Sequence, residues 1–161
     1  MGGDALAAAA AGFRLPEADI AFRPRFPWWG GDLQTLHNRL LRRAETLTPW
    51  PSEPLTFPLE DGSGDRLLVS LHRNAGGAER PPVILIHGMT GCEDSSYIRA
   101  SAGFFLRRGH PVLRLNLRGA GPSRALCRRH YNAGSWPDLL TLLAQLKDRE
   151  AALMAEGCYL M

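Results

Sequence analysis

Two short runs of mainly apolar residues, at 55–62 and 65–73, meet at a segment rich in Gly, Asp and Ser. The runs are "LTFPLEDG" and "DRLLVSLHR", and both have the length and composition of short extended segments. The residues "EDGSGD" that connect them tolerate turn conformations. The pattern therefore predicts a β-hairpin.

A strand, a helix and a second strand are predicted after this hairpin. "VILI" at 83–86 is continuous and rich in β-branched residues, as in a parallel strand that is buried on both faces. The segment 96–109 has a helical period and ends at Gly109. "PVLRLNLRG" then predicts another strand, and the turn "GAGPS" that follows it is predicted to be non-helical. The residues that share one face of the helix are Ile98, Ala102 and Phe105.

A second helix is predicted to begin at Ser135. Ser135 lies three residues before Asp138, and Pro137 falls in the first turn, which is a capping-box arrangement. A leucine stripe carries the helix to about Ala155, and "GCYLM" begins another apolar strand. Strands that alternate with helices in this order predict an α/β fold, with a mostly parallel sheet, an N-terminal antiparallel hairpin and flanking helices.

The length of the chain favours one globular domain. Its 161 residues, 45% of them apolar, suffice for one hydrophobic core. We expect residues 1–25 to form a flexible arm rich in Ala and Pro, and residues 26–161 to form the domain. A short amphipathic helix is predicted near the start of this domain, with leucines at positions 33, 36, 40 and 41.

Charge and cysteine content exclude several functions. The net charge of +3 comes from basic residues that are spread along the chain, so nucleic acid is not expected as a partner. Three cysteines without zinc spacing indicate neither a disulfide framework nor a metal site, and they fit a cytoplasmic protein. The apolar run near the start is far shorter than the ~20 residues of a transmembrane helix. No cofactor is predicted.

The candidate chemistry lies at the carboxyl ends of the two predicted parallel strands, where α/β sheets bind their ligands. The turn "HGMTG" can direct a backbone N–H into a pocket where an oxyanion would form, and the predicted donor is the N–H of Met89. His87 and Gly88 would form the loop, and we interpret His87 as shaping it. The alternative is a tight turn whose glycines serve backbone geometry alone.

The other candidate motifs give weaker evidence for a catalytic or cofactor site. "GAGPSR" has Arg124 where a dinucleotide fingerprint needs its third glycine, so no nucleotide cofactor is implied. None of the eight serines lies in a G-x-S-x-G elbow, and Ser123, which follows Pro122, is interpreted as a turn residue. Cys92 precedes a helix start and could act as an activated thiol, although no histidine partner is specified.

The combination of motifs resembles the YheT-like branch of the α/β-hydrolase superfamily, the bacterial relatives of the ABHD lipid esterases. The resemblance extends from about residue 26 to the end of the chain, and in its last motif Tyr131, Gly134 and Asp138 fall at the family's spacing. The matching segments are "DLQTLHNRLLRR", "LEDGSGDRL", "ILIHGMTG", "SSYIR", "RRGHPVLRLNLRGAG" and "YNAGSWPDL".

The resemblance implies a serine carboxylesterase or lipase that acts on short-chain, acylglycerol-like or phospholipid esters. It assigns the Met89 amide, with His87 and Gly88, to the oxyanion loop. The serine nucleophile, the acid and the catalytic histidine would lie beyond residue 161, so we expect the chain to be inactive alone. Two alternatives stay open: a non-catalytic interaction module that self-associates through an exposed sheet edge, and a thiol hydrolase that uses Cys92.

Overall fold

The computed structural model describes residues 26–27, 29–30, 33, 45–73 and 80–161. The chain divides into two compact units, residues 1–41 and 42–161. The predicted arm, residues 1–25, lies outside the described residues. So does the predicted amphipathic helix except for Leu33, which is helical.

The hairpin is confirmed. Strand β1, Ser52–Pro58, pairs antiparallel with strand β2, Arg66–His72, so that Leu55 lies opposite Val69. Both of these residues are buried, because the side chains of a strand alternate between its two faces and one face here meets the core.

Three further strands run parallel to one another and confirm the α/β class. They are β3, Val83–Ile86; β4, Val112–Asn116; and β5, Tyr159–Leu160. The order in the sheet is β1-β2-β4-β3-β5, with β2 antiparallel to β4 and with both β4 and β5 parallel to β3. The N-terminal hairpin is therefore attached to one side of a parallel sheet.

The two helices contribute to separate hydrophobic clusters. Helix α1, Ser96–Leu106, buries Ile98 and Ala102 against β3 and β4 and ends before Gly109, as predicted. Helix α2, Trp136–Arg149, contributes Leu142 and Leu146 to the larger cluster with β1 and β2. Each fully buried leucine contributes about 1.5–3 kcal/mol to folding. The two helices thus fix the sheet from which the site loops emerge.

The prediction that "GAGPS" cannot be helical is wrong. Residues Gly121–Leu126 form a short 3-10 helix with Pro122 in its first turn. Proline is tolerated there because its fixed φ suits the helix and because its missing N–H would have no intrahelical partner.

Two details of the second predicted helix are also wrong. The Ser135 side chain makes no cap; its hydroxyl accepts a bond from the Asn132 amide, and the Asp138 carboxylate binds Arg118 instead of capping. The helix ends at Arg149 rather than near Ala155. Glu150 leaves the helical backbone conformation, and its carboxylate accepts a bond from Arg73 at 3.0 Å.

Candidate functional site

The loops after β3 and β4 meet at an open cleft of about 720 Å³. Because β3 and β4 are adjacent and parallel, their carboxyl ends bring the two glycine-containing turns to the same edge of the sheet. The segment 130–133 completes the wall. The lining residues are His87, Gly88, Met89, Thr90, Gly91, Gly119, Ala120, Gly121, His130, Tyr131, Asn132 and Ala133.

His87 connects the two loops through both nitrogens of its buried ring. The Leu117 amide donates to Nε2 at 3.2 Å, so Nε2 is unprotonated, and Nδ1 then donates to the Gly88 carbonyl at 2.8 Å. The ring is 3% exposed and meets Tyr131 edge to face at 5.6 Å. Neither nitrogen is free to take a proton from a substrate, which fits the interpretation of His87 as a residue that shapes the loop.

The backbone amides from Gly88 to Gly91 differ in whether they have a hydrogen-bond partner. The Gly88 amide donates to the Tyr97 hydroxyl at 2.7 Å, and the Thr90 amide donates to the Tyr131 hydroxyl at 2.8 Å. The Gly91 amide donates to the Gly88 carbonyl at 3.1 Å. Among the described residues, the Met89 amide has no hydrogen-bond partner, and Met89 is 88% exposed at the cleft.

The loop after β4 lies so close to neighbouring segments that it requires glycine at positions 119 and 121. Gly119 has φ +70°, and a Cβ there would lie 2.5 Å from the Arg129 carbonyl oxygen. Gly121 has φ +49°, and a Cβ there would lie 2.5 Å from Cβ of Cys92. These glycines let the β4 loop pack directly against the loop after β3 and the segment before Tyr131.

A buried arginine with three carboxylates fixes this second loop. Arg118 donates to both oxygens of Asp138, at 2.9 and 2.6 Å, and also to Asp61 at 2.7 Å and Asp65 at 3.3 Å. Its carbonyl oxygen accepts a bond from the Tyr131 amide at 2.9 Å. The group joins the hairpin turn, the β4 loop and the start of α2. The sequence shows no periodicity that would have paired these distant residues.

The ionisation of the group follows from these contacts. The hydrogen bond with Asp138 raises the pKa of Arg118 above its ordinary range. Bonds from Ser63 and Arg118 hold the pKa of Asp61 well below its usual 3.8. Burial opposes the ionisation of Asp65, but the amides of residues 128 and 129 and the charge of Arg118 together lower its pKa. Arg118, Asp61 and Asp65 are therefore charged at neutral pH.

A second buried arginine lies under the loop after β3. Arg114 donates to His72 Nε2 at 3.0 Å and to the carbonyl oxygen of Glu93 at 2.9 Å, and His72 donates through Nδ1 to the Trp50 carbonyl at 2.8 Å. Burial lowers the pKa of His72, and the charge of Arg114 lowers it further. Asn116 accepts a bond from the Glu93 amide, which ties the loop to the end of β4.

The described ranges contain all eight serines, and none of them lines the cleft. Ser123 is fully buried, and its hydroxyl lies within hydrogen-bond distance of the Leu117 and Ala120 carbonyls, as a turn residue would. Cys92 packs on Gly121 and does not line the cleft either. No serine or cysteine of the described ranges therefore lies in the cleft wall, and the Met89 amide, His87 and Gly88 are the predicted site residues that the fold brings together there.

The described ranges contain neither a cluster of metal ligands nor a helix that could span a membrane. Within them, no three His, Cys, Asp or Glu side chains are grouped as metal ligands would be. No helix in the same ranges has both the length and the apolar character needed to cross a membrane.

Two esterases of known structure have a fold similar to that of this chain. The Pyrococcus furiosus esterase Pf2001, in two crystal forms, matches with a TM-score of 0.54 at 22% and 23% identity, over 65% of this chain and 39% and 38% of that protein. The esterase Est22 matches with a TM-score of 0.54 at 15% identity, over 78% of this chain and 40% of its own. No protein-family model matches the chain.

These likenesses establish the fold. The chain has the fold of part of an α/β hydrolase and spans about two-fifths of the length of these esterases. At such low sequence identity the likeness extends to the architecture alone.

Proposed function

We propose that this chain supplies the oxyanion loop and one wall of the substrate cleft of an α/β-hydrolase that hydrolyses carboxylic esters. The observation that supports the proposal is the state of the Met89 amide. It lies at the carboxyl end of a central parallel strand and has no hydrogen-bond partner among the described residues. The amides of its neighbours at 88, 90 and 91 are all bonded. An N–H without an internal partner beside a cleft can donate to a developing oxyanion.

The proposed reaction is acyl transfer to water. A serine from outside these 161 residues attacks the ester carbonyl, the electron pair moves onto the carbonyl oxygen, and the Met89 N–H stabilises the resulting anion. A histidine, itself oriented by a carboxylate, takes the serine proton and passes it to the leaving alcohol. Water then hydrolyses the acyl-enzyme. Removing one oxyanion donor costs about 10²–10³ in rate.

The substrate class rests on the resemblance to the YheT-like branch. It favours short-chain or acylglycerol-type lipid esters, and an open cleft with room for a small acyl group is compatible with them. The three free thiols favour a reducing, cytoplasmic setting. The alternative of a thiol hydrolase loses support because Cys92 does not line the cleft.

An interaction module remains the second proposal because β5 presents an exposed apolar edge. Tyr159, Leu160 and Met161 are 57%, 53% and 62% exposed, and an unpaired strand edge favours association with another strand. Self-association through this edge is compatible with a role in ester hydrolysis and does not depend on Met89.

Binding of a tetrahedral anion by the chain tests the proposed function. Butylphosphonate, a charged mimic of the oxyanion intermediate, is titrated calorimetrically into wild type, Met89→Ala and Met89→Pro. The alanine variant keeps the N–H and should bind like wild type. The proline variant lacks the N–H and should bind about 10-fold or more weakly, since a hydrogen bond to a charged group contributes about 1.5–3 kcal/mol.

Equal binding by the alanine and proline variants would contradict the proposal. A fluorophosphonate probe and a short-chain nitrophenyl ester test the position of the nucleophile. We expect neither labelling nor a burst of nitrophenolate, and stoichiometric labelling of one of the eight serines would overturn that expectation.

A further inference from the structure

We propose that Tyr97 and Tyr131 are positioning residues that leave the Met89 amide as the oxyanion donor by occupying the amides on either side of it. The inference rests on the proposed function, because it explains how one amide in a short loop is kept available to an incoming anion. Neither tyrosine would touch the reacting atoms.

The two hydroxyls act on alternate amides. Tyr97 Oη accepts the Gly88 N–H at 2.7 Å, and Tyr131 Oη accepts the Thr90 N–H at 2.8 Å. The next two amides are also bonded within the loop, from Gly91 to the Gly88 carbonyl and from Cys92 to Ser95 Oγ. Within residues 88–92, the Met89 amide is therefore the one N–H without an acceptor among the described residues.

The two tyrosines are held by different elements. Tyr97 lies in the first turn of α1, and its hydroxyl would be only 2.8 Å from a Cβ at Gly91, so the loop can approach it because residue 91 is glycine. Tyr131 is anchored by its amide to the Arg118 carbonyl and by its ring to His87. The two hydroxyls that bind the loop therefore come from α1 and from the segment before α2.

The backbone conformation of Thr90 depends on contacts of this kind. Thr90 has φ +60°, a region that β-branched residues rarely adopt and that persists only when surrounding contacts impose it. The bond from its amide to Tyr131 is one such contact. Without the hydroxyl, the peptide group between Met89 and Thr90 would lose this bond, and the Met89 amide would lose one of the contacts that fix its direction.

Tyrosine-to-phenylalanine variants test the inference, because phenylalanine keeps the ring and removes only the acceptor. The chain contains three tyrosines, and Tyr159, an exposed residue of β5, provides the matched control. Amide hydrogen-exchange rates are measured by NMR in wild type, Tyr97→Phe, Tyr131→Phe and Tyr159→Phe. Butylphosphonate affinity is measured in the same four proteins.

Each variant should have a local and distinct effect. Tyr97→Phe should accelerate exchange at Gly88, and Tyr131→Phe at Thr90, by about 10-fold each, the equivalent of one hydrogen bond. Both should weaken phosphonate binding by about 10-fold, although Met89 itself is unchanged. Tyr159→Phe should alter neither quantity.

The possible failures are distinguishable. If exchange at Gly88 and Thr90 is the same in all four proteins, the inference is overturned, whatever the phosphonate affinity. If exchange changes as expected but phosphonate affinity does not, the tyrosines are structural and the positioning role is overturned. If wild type binds no phosphonate while the exchange pattern holds, the proposed function is overturned.

Discussion

At the scale of single residues, the loops of the cleft depend on how closely one backbone can approach another. Gly119 and Gly64 both have a positive φ, of +70° and +75°, but they differ in the space around them. A Cβ at Gly119 would meet the Arg129 carbonyl oxygen at 2.5 Å, whereas a Cβ at Gly64 would meet nothing within 4 Å. Comparing substitutions at these two glycines therefore separates the effect of backbone strain on stability from that of steric contact.

Gly119→Ala should destabilise the protein more than Gly64→Ala. At Gly64 the cost should be the backbone strain alone, about 1 kcal/mol, from the lower end of the range for a left-handed non-glycine residue. At Gly119 the close contact should add about 1–3 kcal/mol. Urea unfolding of both variants measures the difference, and equal losses would show that the β4 loop has room to move away from residue 129.

At the scale of elements, Arg118 joins three segments that the sheet alone would not hold together. Its carboxylate partners come from the hairpin turn and from α2, and two of them, Asp65 and Asp138, are buried. Arg73, by contrast, pairs with Glu53 and Glu150 while half of its side chain is exposed.

Arg118→Met should cost about 3–5 kcal/mol, because it leaves buried carboxylates without their cation. The matched variant Arg73→Met should cost no more than about 1 kcal/mol, as is usual for exposed pairs. Urea unfolding measures both, and Arg118→Lys, which keeps the charge but not the two-pronged bond to Asp138, should fall between them. A loss at Arg118 no larger than that at Arg73 would contradict the assigned role.

The sequence predicted elements well where hydrophobic period carried the information. The hairpin, β3, α1, β4 and α2 all appear, because each has a buried face that is visible in its apolar pattern. Strand β5 also appears, although both of its residues are exposed. Prediction from the sequence was wrong where a polar side chain could bind more than one partner. Asp138 stands at a capping-box position, yet it binds Arg118, twenty residues earlier, and such pairing depends on tertiary structure. The two tyrosine hydroxyls were missed for the same reason.

At the scale of the whole molecule, stability should fall in two separate ranges of pH. Burial lowers the pKa of His72 below its ordinary 6.5, so the unfolded chain binds this proton more readily than the folded one. The stabilisation is complete above pH 6.5 and is lost as the pH falls toward the folded pKa. Asp61 and Asp65 have lowered pKa values, so their contribution is complete above pH 3.8 and is lost below it.

Thermal unfolding across this pH range tests the assignment. Wild type should lose stability below pH 6.5, and a second decline should begin only below pH 3.8. His72→Gln, which retains a donor for Trp50 and an acceptor for Arg114, should flatten the first decline and keep the second. An unchanged first decline in the variant would assign it to another group.

The central claim is that the Met89 N–H points into the cleft and receives an oxyanion there. The most direct measurement follows the backbone amides by NMR while butylphosphonate is added. We predict that the Met89 amide shows the largest chemical-shift change and that Met89→Pro abolishes the response. The amides at 88 and 90 should show smaller changes, because tyrosine hydroxyls already accept their hydrogen bonds. Shifts centred on the β4 loop, with the Met89 amide unmoved, would contradict the account.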